Sequence, residues 1–206
     1  MRLRPAIATT LASVGVAVAG FVAFWQATDG LAAFTTEAAR RLAIERAPIR
    51  VPATDILTSD GESRLLPDGA RPLLVEFIYT SCPTICTALG QEFLQIQSAL
   101  SRRGLADRVS LVSLSFDLER DTPAMLAEYG KFHASDPAIW TIGRPRHQHD
   151  LARLLVAFDV TVIPDGEGDF VHNAAIHYVD RDGRLSRIFD LGEVDAILTY
   201  LETAAP

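Results

Sequence analysis

The only two cysteines of the chain, Cys82 and Cys86, lie four positions apart in the run VEFIYTSCPTICTALG. Residues four apart share one face of a helix, so this spacing predicts two neighbouring sulfur atoms. Two neighbouring thiols can bind one soft metal ion or form a disulfide. The pair leaves three interpretations open: a metal site, a redox-active pair and a purely structural pair of cysteines.

The segments around the cysteines predict a strand that runs into a helix. Leu73 to Tyr79 is apolar and β-rich, as in a buried strand, and the residues after Cys86 repeat apolar side chains with helical spacing until Gly104. Cys82 is thereby placed at the junction, where free backbone N–H groups and the helix dipole favour a thiolate. A thiolate can both ligate a metal and attack a disulfide.

The rest of the chain alternates predicted strands and helices. The predicted strands are Val109–Phe116, Ala138–Ile142, Phe170–Asp180 and Leu185–Leu191, and the predicted helices are Pro123–His133, His149–Phe158 and Glu193–Thr203. Thr122 or Asp121 is the expected cap of the first of these helices. This order predicts an α/β fold, a mixed sheet with helices on both faces. It resembles the thioredoxin-like arrangement.

The N-terminus predicts a membrane anchor. Ala6 to Trp25 contains 20 residues without a charge, and a helix of that length spans the roughly 30 Å hydrocarbon core. Arg2 and Arg4 precede the span and Asp29 follows it, so the positive-inside rule places the rest of the chain outside the cytoplasm. We expect a single-pass protein of the inner (cytoplasmic) membrane whose soluble domain faces the periplasm. A cleaved signal peptide is the alternative.

These features predict three regions: an anchor at 1–28, a tether at 29–50 and a thioredoxin-like domain at 51–206. The segment TTEAARRLAIERA in the tether is a candidate short helix. The formal net charge of −7 argues against nucleic acid as a partner.

Five histidines are candidates for a third ligand: His133, His147, His149, His172 and His177. His133 ends a predicted helix, and the H-x-H pair has the character of exposed surface. His172 follows the loop Val162–Asp169, which a thioredoxin-like fold would bring back over the cysteines and whose PDGEGD sequence suggests a mobile lid. In a regular strand His172 and His177 point to opposite faces, so only one can face the thiols.

Three blocks together resemble the Sco/SenC family of membrane-anchored, thioredoxin-like copper proteins involved in cytochrome c oxidase assembly. The blocks are FIYTSCPTIC, SFDLERDTP and VHNAAIHYVDRDGRL. The resemblance implies that Cys82, Cys86 and His172 bind one copper ion, Cu(I) or Cu(II), with Asp117 as a weaker candidate for support behind the ligands. It also implies a copper-accepting oxidase subunit and an upstream copper donor as partners.

The sequence departs from the family pattern at Thr84 and Thr87 of the cysteine motif and at His177, where many members have an acidic residue, proline and tyrosine. Two functions therefore remain open. The first is copper delivery to a respiratory oxidase; the alternative is a thiol–disulfide oxidoreductase that keeps a target's copper-ligand cysteines reduced, with Cys82 and Cys86 as the redox pair. A peroxidase is disfavoured, because Pro83 occupies the position where the peroxiredoxin motif needs threonine.

Overall fold

The computed structural model describes residues 5–82, 85–166 and 168–204. Arg2 and Arg4 of the predicted anchor, Thr84 of the cysteine motif and Glu167 of the predicted lid lie outside this part of the chain. The chain divides into two compact units, Met1–Arg46 and Ala47–Pro206.

The first unit contains two helices, α1 (Pro5–Ala27) and α2 (Thr36–Arg46). Thr9–Ala27 within α1 is 19 residues long and is long and apolar enough to cross a membrane by length and composition. Helix α2 is the short helix predicted in the tether, and Thr35 begins it by accepting a hydrogen bond from the Ala38 amide.

The second unit contains ten strands and four helices within the described residues. The strands are β1 (Ile49–Arg50), β2 (Thr54–Thr58), β3 (Ser63–Leu66), β4 (Leu73–Ile78), β5 (Ser110–Ser115), β6 (Trp140–Pro145), β7 (Val162–Pro164), β8 (Phe170–His172), β9 (Ile176–Val179) and β10 (Arg184–Phe189). The helices are α3 (Ile85–Arg103), α4 (Pro123–Phe132), α5 (Gln148–Phe158) and α6 (Val194–Ala204).

Eight strands form one mixed sheet in the order β1-β10-β9-β4-β5-β6-β2-β3. Strands β4, β5 and β6 are parallel, and the other pairings are antiparallel. All six residues of β4 are buried, because β4 has a neighbour on each side and helices above and below. The carboxyl end of this central strand leads directly into the cysteine motif.

Helices cover both faces of the sheet, as predicted. On one face Phe93 of α3 packs edge-on against Trp140 of β6, with ring centroids 5.4 Å apart, and α6 packs beside α3. On the other face Phe158 of α5 packs edge-on against Phe77 of β4 at 5.1 Å. Thr122 caps α4 by accepting a hydrogen bond from the Met125 amide, which decides between the two predicted caps.

The predicted single strand Phe170–Asp180 is wrong. Strand β8 pairs with β7 in a separate two-stranded sheet, whereas β9 joins the large sheet between β10 and β4. Asn173 explains the break, because its side chain donates to the Asp159 carbonyl and accepts from the Thr161 amide. These bonds hold the chain in a turn where the apolar pattern alone indicated a continuous strand.

The segment Val162–Asp169 is not the open loop that the sequence predicted. Its first residues form β7. At the hairpin tip the Asp165 amide donates to the Asp169 carbonyl, and the Asp169 amide donates to the Asp165 carboxylate. The hairpin β2–β3 and the short β1 had no predicted counterpart, and β6 begins two residues later than expected and extends to Pro145.

Gly90 provides a test of the packing between α3 and α4. A Cβ atom at this position would lie 2.4 to 2.6 Å from three ring atoms of His133. The His133 ring is itself held by Tyr129 and Phe132 of α4, with centroids 4.4 and 4.9 Å away. Alanine gains about 1 kcal/mol of helix propensity over glycine, but overpacking of a buried site costs about 1–3 kcal/mol.

We therefore expect Gly90→Ala to lower the free energy of unfolding, measured by urea denaturation of the chain in detergent. In the double variant Gly90→Ala/His133→Ala the added methyl meets no ring, so the two effects should be strongly non-additive. Additive effects would contradict the proposed clash.

Candidate metal centre

The two cysteines lie at the end of β4, one before helix α3 and one in its first turn. Cys82 precedes the helix, so the pair does not share a helical face as the spacing predicted. Instead the amide of Cys86 donates to Cys82 Sγ at 3.4 Å. The two cysteines are not joined in a disulfide and both are buried, with Cys82 8% exposed and Cys86 1% exposed. Cys82 borders a surface cleft that also includes Met125 and Phe132 of α4.

The β7–β8 hairpin brings His172 to the cysteines. His172 Nε2 lies 3.9 Å from Cys86 Sγ. The imidazole packs against Phe116 and Tyr79, which follow β5 and β4, with ring centroids 5.1 and 6.4 Å away. His172 and Cys86 are thus neighbours although they are separated by 86 positions in the chain.

The structure brings Cys86 next to both of the other predicted ligands. Its Sγ lies 3.9 Å from His172 Nε2, and its amide and thiol both interact with the Cys82 side chain. Among the described residues, no three His, Cys, Asp or Glu side chains are arranged to hold a metal ion.

Asp117 lies behind the site, where it binds Arg120. The Arg120 side chain forms an ion pair with the buried Asp117 carboxylate, which also accepts the Arg120 amide at 3.1 Å. A residue that sequence reasoning treated only as a possible helix cap, Asp121, is more central. Its carboxylate accepts hydrogen bonds from the amide and hydroxyl of Thr80, just before the cysteines, and from Ser115.

Burial favours the neutral forms of the two facing groups. It raises the pKa of the Cys86 thiol well above its ordinary value, with further raising effects from Cys82 and Glu76. It lowers the pKa of His172, so the imidazole is neutral and one of its ring nitrogens is available as an acceptor or ligand.

A further buried carboxyl, Glu76, lies in β4 beneath the site and was not singled out in the sequence. It has no exposed surface and accepts a hydrogen bond from Ser113 at 2.5 Å, and Ser113 in turn accepts one from Trp140. Burial raises the pKa of Glu76 to about 8. Tyr129, which interacts with this carboxyl, donates a hydrogen bond to the Cys86 carbonyl at 3.2 Å.

The other histidines lie away from this arrangement. His177 is buried on the α5 face of the sheet, with Nδ1 3.2 Å from the Val75 carbonyl. His133 is buried between α3 and α4. His147 and His149 stack on each other at the exposed start of α5.

Comparison with known proteins agrees with the fold. The SCO1/SenC family model matches residues 67–202, which include the whole region from the sheet centre to the last helix. The chain belongs to the SCO1/SenC family.

Individual SCO1/SenC relatives are distant in sequence. The SCO1 protein homolog of Bacillus subtilis is 23% identical over 119 residues, or 57% of this chain and 61% of that protein. The chain therefore spans about six tenths of the length of that curated relative.

Solved structures of Sco proteins share the fold. BsSco, described as a Sco-family cytochrome c oxidase assembly protein with a disulfide switch, has a TM-score of 0.68 at 21% identity, covering 77% of this chain and 94% of that one. Copper-bound ScoI of Bradyrhizobium japonicum has a TM-score of 0.61 at 26% identity, covering 74% of this chain and 99% of that one.

Glu76 predicts how stability should change with pH. The folded state keeps a proton on this carboxyl up to about pH 8, whereas an unfolded glutamate loses it near pH 4.3, so unfolding releases a proton between these values. The free energy of unfolding should therefore fall, by an amount of the order of a few kcal/mol, as the pH rises through this window.

The isosteric Glu76→Gln variant should lose this pH dependence and retain more of its stability at pH 8 than the unsubstituted chain does. Urea denaturation between pH 5 and 8 measures the effect. Glu62→Gln, at an exposed position, is the control and should leave the pH profile unchanged. An unchanged slope in Glu76→Gln would contradict a buried neutral carboxyl.

Proposed function

We propose that this SCO1/SenC protein binds one copper ion through Cys82, Cys86 and His172 and delivers it to a respiratory oxidase copper site. The observation that carries the proposal is the 3.9 Å approach of His172 Nε2 to Cys86 Sγ. This approach places an imidazole beside a thiol pair that is distant from it in the sequence. The copper-bound ScoI relative supports the choice of metal.

The donor set fits copper chemically. Thiolate sulfur and imidazole nitrogen are soft to borderline donors. Two thiolates and one neutral imidazole give a net charge of −1 with Cu(I) and zero with Cu(II), so both oxidation states are compatible with a buried site. The lowered pKa of His172 keeps the imidazole neutral, so one ring nitrogen carries no proton, and binding would release the two thiol protons.

Three ligands also suit a metal that is handed on. A closed structural zinc site normally has four protein ligands, so a three-ligand site keeps a position for an incoming donor atom. The cleft beside Cys82, of about 300 Å³, provides an approach from solvent. An acceptor's cysteine or histidine could reach the copper from this side while His172 covers Cys86.

The membrane anchor determines the compartment in which copper transfer would occur. Helix α1 would cross the inner membrane, with Arg2 and Arg4 on the cytoplasmic side and the second unit in the periplasm. The proposed partners are the copper-accepting subunit of a respiratory oxidase and an upstream copper donor. Nucleic acid is not a proposed partner.

We expect the reduced chain in detergent to bind one copper per molecule and to give a Cu(II) absorption band from thiolate-to-copper charge transfer. Cys82→Ser, Cys86→Ser and His172→Ala should each abolish stoichiometric binding, because each removes one of only three ligands. Metal analysis and absorption spectroscopy measure both quantities.

His149→Ala is the control for the loss of a histidine, since His149 lies at the exposed start of α5, and it should bind as the unsubstituted chain does. Full copper retention in His172→Ala would remove this residue from the ligand set. No binding by the unsubstituted chain would leave thiol–disulfide exchange as the leading function.

The alternative function is reduction of a target protein's copper-ligand cysteines. Two neighbouring cysteines that are not joined in a disulfide favour it, as does the disulfide switch described for BsSco. Cys82, beside the cleft, would attack the target disulfide as a thiolate and release one target thiolate. Cys86 would then attack Cys82 Sγ, which forms the intramolecular disulfide and releases the second target thiolate, and both target thiolates would take protons from solvent.

This mechanism predicts a difference between the two cysteine variants. With a disulfide-containing peptide, Cys86→Ser should accumulate a mixed disulfide at Cys82, because no thiol remains to release it. Cys82→Ser should trap much less, since Cys86 is almost fully buried. Non-reducing mass spectrometry measures the adducts. Equal trapping by both variants would contradict an ordered exchange that begins at Cys82.

A further inference from the structure

The β7–β8 hairpin that carries His172 is not hydrogen-bonded as a strand to the large sheet. Its two strands pair only with each other, in a separate sheet. Its position over the cysteines must therefore depend on side-chain contacts. Phe170 and His172 lie on one face of β8, because side chains alternate along a strand, and the intervening Val171 is 63% exposed.

The shared face of β8 packs on one aromatic pair. Phe170 contacts Tyr79 and Phe116 edge-on, with ring centroids 5.2 and 5.4 Å away. His172 packs on the same two rings. Contacts that hold Phe170 against Tyr79 and Phe116 therefore also hold the His172 imidazole, two residues later in the same strand.

Arg120 joins the hairpin to the body of the domain by several contacts at once. Its NH1 donates to the Gly168 carbonyl at 2.5 Å, just before β8. Its guanidinium lies over the Phe170 ring, 5.2 Å from the centroid, and 5.9 Å from that of Tyr79. A planar guanidinium can make such bonds and a ring contact together, which an ammonium group cannot.

The opposite end of the Arg120 contact is buried and hydrogen-bonded. Asp117, which binds the arginine Nε, is 5% exposed, and its amide donates to Ser115 Oγ at 3.0 Å. Ser115 donates in turn to Asp121 at 2.5 Å, the carboxylate that holds Thr80. One hydrogen-bonded chain thus runs from the start of the cysteine motif to Arg120.

We infer that Arg120 is a positioning residue, which holds the β7–β8 hairpin against Asp117 and thereby keeps His172 over Cys86. Arg120 touches neither the thiols nor the imidazole in any contact described above, so its effect on them passes through Phe170 and the backbone at Gly168. The consequence for copper rests on the proposed function, whereas the attachment of the hairpin does not.

Arg120→Gln and Arg120→Lys test the inference in the full chain in detergent. Amide hydrogen exchange at 170–172 should accelerate roughly tenfold in Arg120→Gln, the factor expected for the loss of one charge-assisted hydrogen bond. Arg120→Lys keeps the charge but not the fork, so its exchange should also accelerate. It is the less disruptive variant should Arg120→Gln fail to fold.

The matched control is Arg103→Gln. Arg103 has the same side-chain exposure as Arg120, 42%, and forms an ion pair with Glu202 at 2.5 Å, between α3 and α6. It should leave exchange at 170–172 unchanged. Unchanged exchange in both Arg120 variants, or equal acceleration in the control, would overturn the inference.

Cu(II) affinity and the charge-transfer band are two measurements that a general loss of stability would not change. Arg120→Gln should weaken Cu(II) affinity by roughly tenfold and shift the charge-transfer band. In a His172→Ala background the same substitution should have no further effect on residual Cu(II) affinity or the band. If the unsubstituted chain binds copper but Arg120→Gln leaves affinity and band unchanged, the positioning role is wrong. If the unsubstituted chain binds no copper, the proposed function fails, and hydrogen exchange alone tests the role of Arg120.

Discussion

The cysteine motif is held by one fully buried carboxylate, Asp121. It accepts hydrogen bonds from the amide and hydroxyl of Thr80 at 2.9 and 2.6 Å and from Ser115 at 2.5 Å. A buried carboxylate is costly unless its oxygens are satisfied, and here three donors satisfy them. The donors come from the ends of β4 and β5, which are parallel and therefore end at the same edge of the sheet. Every other part of the site is arranged around this fixed edge.

The cysteines lie between two environments that both disfavour charge. Beneath Cys86, the neutral Glu76 carboxyl is hydrogen-bonded to Ser113 inside the sheet–helix interface. On the other side, His172 packs against aromatic rings. Burial accordingly raises the pKa of the Cys86 thiol and lowers that of His172. Thiolates at this place need a compensating positive charge, which the proposed copper ion would supply in place of the thiol protons.

Much of the fold could be predicted because its periodic elements are long. The buried run of β4 and the helical repeat of α3 located the cysteine junction, and they also fixed which sheet edge carries it. The break between β8 and β9 could not be predicted, because residues 170–180 are apolar enough for one strand. It is the Asn173 side chain, bonded to the backbone at Asp159 and Thr161, that ends β8.

The candidate site, like the fold, could be predicted from the sequence only in part. The cysteine pair was evident from composition, since the chain has only two cysteines. His172 was selected among five histidines by resemblance, and its approach to Cys86 depends on a hairpin that the sequence did not predict. Glu76 could have been noticed as a carboxyl inside an otherwise apolar strand. Arg120 carries no such signal, because a lone arginine in a charged loop is ordinarily solvated and its contacts with Gly168 and Phe170 arise only from tertiary structure.

The hairpin bears on the choice between the two proposed functions. A disulfide and a copper–thiolate site use the same two sulfur atoms, so one molecule cannot hold both at once. Thiol exchange requires that Cys82 be reached from the cleft, and it requires no group over Cys86. Copper ligation requires an imidazole there, and the protein places one within 3.9 Å at the end of a strand attached through Arg120. The arrangement of β8 therefore supports the proposed copper site over disulfide exchange alone.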